Sequence, residues 1–224
     1  MHFSLVAVLS LLLPTATAQY AVCDANLHAM SSSQTPFRHP VVVVSHGPGP
    51  LWLLKDGFHG QNKHCEAARN VASIFTTLYG SSPSKQTLPK RILFVSAHWE
   101  AQRYGFEISK STAPEMIYDY GGFPDESYEI VYPAKGEPAF AAKVKDVLTD
   151  NKIMATLVEH GYDHGVFVPM SLIRPEADIP IVTVSINDRM SAADHFALGQ
   201  ALAPFRDEDT LIICSGQATH NLRA

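Results

Sequence analysis

Three short runs of apolar residues punctuate the chain, and each breaks off at a serine with a histidine close behind: Val41-Val42-Val43-Val44-Ser45-His46, Ile92-Leu93-Phe94-Val95-Ser96-Ala97-His98, and Leu211-Ile212-Ile213-Cys214-Ser215-Gly216 leading to His220. Unbroken runs of this length predict strands buried on both faces, as in a parallel sheet. Shorter runs at Tyr104–Ile108, Ile153–Val158 and Pro180–Ile186 predict three more strands.

Between the strands the period lengthens to that of a helix. Ala67, Val71, Ile74, Phe75 and Leu78 form one stripe over a helix from about Lys63 to Tyr79, ended by Gly80 and Pro83. Phe140, Val144, Val147 and Leu148 do the same over Pro138–Thr149, and Leu198, Leu202 and Phe205 over Ser191–Phe205. Gly161 to Gly165 reads as a polar turn followed by an apolar segment through Leu172. Alternating strands and helices predict the α/β class: a single domain, with a largely parallel central sheet flanked by helices. Ligands of such sheets gather at the carboxyl ends of the strands, where the three histidines fall.

Residues 111–138 break the alternation, with four prolines, the pair Gly121-Gly122 and tyrosines at 118, 120, 128 and 132. A loop this long in a compact domain is usually functional or disordered, and its aromatics argue for order. It is expected to form a lid or a wall of a pocket.

Composition narrows the picture. Hydrophobic residues are 46% and charged residues 17% of 224, enough for a sizeable core, and a net charge of −5 with no basic cluster argues against nucleic acid as a partner. Leu5–Leu13 followed by Pro14 and Ala16-Thr17-Ala18 fits a secretory signal peptide over residues 1–18, cleaved before Gln19. That implies a secreted chain with no membrane association after cleavage, since the apolar run is too short to span a bilayer. A buried N-terminal helix is the other reading. Residues 19–39 read as an irregular lead-in to a domain over 40–224. Three cysteines do not make a disulfide framework. Cys214 reads as a buried hydrophobe, and Cys23 could pair with Cys65 in a secretory compartment.

Imidazole is the commonest metal ligand, and strand ends hold side chains rigidly. His46, His98 and His220, each delivered by a separate strand, therefore point to one metal site; the bland alternative is three unrelated polar strand ends. His164 lies in a glycine-bounded turn beside Asp163, a carboxylate that could orient the ring for general acid/base work. A helix-capping Asp beside a surface His fits those two residues equally. No Gly-x-Ser-x-Gly elbow, His-Glu-x-x-His helix or complete dinucleotide fingerprint is present.

Taken together, Ser45-His46-Gly47-Pro48, Val95-Ser96-Ala97-His98-Trp99, Tyr118-Asp119-Tyr120-Gly121-Gly122-Phe123-Pro124, Tyr132-Pro133-Ala134, Tyr162-Asp163-His164-Gly165, Asp178-Ile179-Pro180 and His220-Asn221-Leu222-Arg223 resemble the class III extradiol ring-cleavage dioxygenases. The resemblance is to the DOPA 4,5-dioxygenase-like (LigB-type) branch and covers about residues 40–223. It implies a mononuclear non-haem metal, Fe(II) for activity with Zn(II) as an alternative occupant. It also implies a catechol substrate, and O2 used to cleave the ring beside the diol. His46 and His98 match the metal ligands. His220 matches a histidine at the metal, as ligand or as the base that deprotonates the catechol. His164 matches a second active-site histidine, an acid/base or a group steadying oxygen. Relatives continue past the position of Ala224, so the domain is expected to be C-terminally truncated. The readings that compete with an active dioxygenase are an inactive isoform that binds metal or phenols without turnover, and a zinc-dependent hydrolase with His164 as base.

Overall fold

A computed structural model describes residues 37–83 and 87–216. The signal peptide, most of the lead-in, Cys23 and His220 fall outside those described residues.

A six-stranded sheet forms the centre, built from β1 (Val41–Val44), β2 (Arg91–Glu100), β3 (Phe106–Ser109), β5 (Ala155–Val158), β7 (Ile181–Ile186) and β8 (Thr210–Ser215) in the order β1-β8-β2-β7-β3-β5. β1, β8, β2 and β7 run parallel, whereas β3 meets β7 antiparallel and pairs parallel with β5, so these two strands run opposite to the other four. The α/β class and the largely parallel sheet expected from the sequence are both observed.

The unbroken apolar runs follow from burial on both faces. On β2, Ile92 and Phe94 enter one core while Leu93 and Val95 enter the other. On β8, Leu211 and Ile213 oppose Ile212 and Cys214 in the same way. One layer holds α1 (Glu66–Ala72), α2 (Ile74–Tyr79) and α4 (His164–Ile173); the other holds α3 (Pro138–Asp150) and α5 (Ala192–Leu202). Among the described residues, no helix is long and apolar enough to cross a membrane.

Three local expectations change. The helix expected from Lys63 starts at Glu66, where the Cys65 sulfur accepts the Ala68 N–H as an N-cap, and Ser73 interrupts it. Its buried stripe consequently runs through Ala68 rather than Ala67. The polar turn at 161–165 is instead a short strand, β6 (Tyr162–Asp163), that leads directly into α4. That helix carries Pro169 inside it and is buried nearly all round, which is why its apolar sequence shows no stripe. Finally, the long loop contains a two-residue strand, β4 (Met116–Ile117), paired parallel to β6.

Candidate metal centre

Because β8 lies between β1 and β2, the strands that end near His46, His98 and His220 are neighbours with their carboxyl ends together. His46 follows β1 and is 2% exposed; His98 sits near the end of β2; His164 is the first residue of α4 and 6% exposed. Their donor atoms all lie within 4.8 Å of one another. The continuation of β8 toward His220 leaves the described residues after Gly216, so the ligand expected there is not located.

Each ring is held through Nδ1. His46 Nδ1 is 3.1 Å from the Gly47 carbonyl oxygen, and His164 Nδ1 and His98 Nδ1 are 2.8 and 3.2 Å from the two carboxylate oxygens of Asp119. An acceptor at Nδ1 fixes the tautomer with its lone pair on Nε2. The rings of His98 and His46 do turn Nε2 toward each other, 3.1 Å apart. Three imidazoles with donor atoms this close together and Nδ1 of each occupied form a donor set suited to a divalent transition metal. These residues fit such an ion by their own chemistry, and the remaining coordination positions would be open to other ligands.

Asp119 is the residue that sequence reasoning passed over. It appears there only as part of an aromatic-rich segment, with no role. In the structure one Asp119 oxygen also accepts the backbone N–H of His164, at 3.0 Å. Burial works to raise this carboxyl, but hydrogen bonds from His164 and His98 outweigh it and hold it well below the ordinary carboxylate range. The carboxylate expected to orient His164 was Asp163. That residue turns away, making no N-cap bond, and its Oδ1 accepts a hydrogen bond from Ser96 at 2.7 Å. The pairing of β4 with β6 sets this arrangement: it aligns Ile117 with Asp163, so Asp119 lies beside His164.

The loop of 111–138 supplies a wall, as expected. Tyr120 stands edge-on to the His164 ring at 5.7 Å, and Tyr118 packs edge-on against Phe167 of α4. Both hydroxyls are engaged away from the cluster, donating to the carbonyls of Ser127 and Ile130. On the far side Gly47 has φ +68°, and an added Cβ would fall 2.4 Å from the Trp52 indole. Only glycine lets that indole press on the peptide whose carbonyl holds His46. His160, also unremarked in the sequence, stacks on Trp99 at 3.8 Å, and burial pushes it down to about 4.

Residues 40–224 match the protein family described as the catalytic LigB subunit of aromatic ring-opening dioxygenase. The chain is 41% identical over 188 residues to a protein of Hapsidospora irregularis named dioxygenase tasH, covering 83% of this chain and 56% of that one. It is 38% identical to the 4,5-DOPA dioxygenase extradiol of Escherichia coli (83% and 62% covered) and 40% identical to that of Beta vulgaris (62% and 56%). An uncharacterised Escherichia coli K12 protein of known crystal structure superposes with a TM-score of 0.60 at 32% identity, covering 83% of this chain and 63% of that one. The chain thus spans roughly three-fifths of the length of these relatives.

Proposed function

This chain belongs to the LigB family of aromatic ring-opening dioxygenases, and from that premise we propose that it is a non-haem, metal-dependent extradiol dioxygenase acting on a DOPA-like catechol with O2. The observation that carries the reading is the cluster of His46, His98 and His164, each ring held through Nδ1. Relatives named as 4,5-DOPA dioxygenases support the substrate class.

His46 and His98 would hold the metal, Fe(II) for turnover with Zn(II) as an inactive occupant. The metal, when bound, supplies the Lewis acidity and redox capacity that bring catechol oxygens and O2 together. The chain's own part is positioning. Asp119 fixes two rings from the loop side and the Gly47 carbonyl fixes the third. Tyr120 offers an edge beside His164 that suits a flat aromatic ring. His164 is placed either to complete the donor set or to move a proton of the bound diol. We also propose, from residues 1–18 alone, that the chain enters the secretory pathway; an N-terminus beginning at Gln19 in secreted material would test this.

Protein reconstituted anaerobically with Fe(II), then given DOPA and oxygen, should form the yellow semialdehyde chromophore with matching O2 uptake. Zinc-loaded protein should form none. Metal uptake with no O2 consumption would overturn the enzymatic reading and leave a binding protein.

A further inference from the structure

Beneath the three rings lies a second polar layer, at the point where β2, β6 and β8 approach the start of α4. Ser96, Ser185 and Ser215 stand in register across β2, β7 and β8, all fully buried. They follow Phe94, Thr183 and Ile213 by two residues and so point to the same side of the sheet, toward α4. Asp163 meets this row, itself only 2% exposed. Ser96 donates its hydroxyl proton to Asp163 Oδ1 at 2.7 Å and accepts the backbone N–H of His98 at 3.2 Å.

Burying a carboxylate this deeply costs several kcal/mol unless it is well bonded. Yet the other oxygen, Asp163 Oδ2, has no hydrogen-bond partner, and neither has the buried hydroxyl of Ser215. An apolar side chain would serve packing better, so packing does not account for the carboxylate. Two further observations tie it to the histidines. The regular register of β2 with β7 breaks after Ser96, so the His98 N–H is met by the Ser96 hydroxyl where the ladder lapses. A lapse of this kind re-aims the side chain that follows it. In addition, a Cβ on Gly165 would fall 2.8 Å from both Asp163 Oδ1 and Ser96 Oγ, so only glycine lets the first turn of α4 sit against the pair.

We propose that Asp163 and Ser96 form a positioning pair that sets the reach of His98 toward the metal and ties it to His164, the residue after Asp163. The pair rests on the metal reading of the histidine cluster. It acts from below, through the backbone of β2, whereas Asp119 acts on the rings from the loop side. Neither residue touches substrate or metal.

The test measures Zn(II) affinity by competition with a chromophoric chelator, the visible spectrum of the Co(II) form, and urea unfolding of the metal-free chain. Ser96→Ala removes one hydroxyl and is expected to weaken Zn(II) binding about 10- to 100-fold, the range found for outer-shell partners, and to shift the Co(II) bands. Asp163→Asn keeps an acceptor for Ser96 and is expected to lose less than Asp163→Ala. A purely structural pair would move the unfolding midpoint and leave the Co(II) spectrum of the folded variants as in wild type. If Ser96→Ala binds Zn(II) as wild type does with an unchanged spectrum, the pair is refuted, and this variant decides the matter should Asp163→Ala fail to fold. A wild-type chain that takes up no metal overturns the reading of the site itself, which is a distinguishable failure.

Discussion

Two histidines carry opposite consequences of being buried. His164 is bonded through both its backbone N–H and its Nδ1 to Asp119, which leaves Nε2 as its available donor. Its ring centre is 3.8 Å from that of His98 and 5.1 Å from that of His46. On this geometry His164 is as well placed to bind a metal as His46. His164→Ala is therefore expected to lose metal occupancy as His46→Ala and His98→Ala do, measured by metal analysis after gel filtration. Full occupancy with lost turnover would instead confine His164 to proton transfer. His160 has no such hydrogen-bonded carboxylate: its buried Nε2 lacks any hydrogen bond, and desolvation outweighs the attraction of Asp119 and pushes it down to about 4 from an ordinary value near 6.5. Between those values the unfolded chain binds more protons at this site than the folded one, so the site's contribution to stability falls as pH drops from about 6.5 to 4. His160→Phe, which keeps a ring against Trp99, should flatten that part of the profile in urea titrations of metal-free protein. An unchanged slope would assign the acid sensitivity to other groups.

At the scale of elements, what the sequence reveals depends on the range of the interaction. The strands over 41–45, 92–97 and 210–215 were legible because residues buried on two faces leave a continuous apolar run, and their shared ending marked the edge where His46 and His98 meet. The helices over 138–149 and 191–205 were legible from their stripes, and Ser191 with Asp194 forms the capping box that opens the second. The start of α4 was not legible. A helix buried on all sides shows no amphipathic period, and glycines at 161 and 165 read as a turn. In the structure Gly165 is instead a close-approach residue inside the helix. Nor was the β4–β6 pairing, since two-residue strands separated by 44 positions leave no local pattern. The role of Asp119 depends on that pairing, so neighbouring Asp163 was the natural but incorrect choice for the orienting carboxylate. The reversed direction of β3 and β5 was invisible for a related reason. An apolar run of four or five residues does not encode its partner or its sense.

For the whole molecule, the cluster joins parts of the fold that are distant in the chain. His46 comes from the edge strand β1, His98 from the centre of the sheet, and His164 from the helix that covers it, while Asp119 adds the long loop. An ion held by these residues binds the folded chain and has no comparable site in the unfolded one, so its binding energy adds to global stability. With free metal at one hundred times its dissociation constant the gain is about 2.7 kcal/mol. For a domain of this size each kcal/mol raises Tm by roughly 2–4 °C, so Zn(II) should raise the midpoint by about 5–11 °C and a chelator should reverse the shift. His98→Ala should abolish the shift and leave the metal-free midpoint nearly in place, because the ring is partly exposed and its loss opens no cavity in either core. A metal-induced rise of equal size in that variant would mean that the cation stabilises the fold from somewhere other than the ends of β1 and β2.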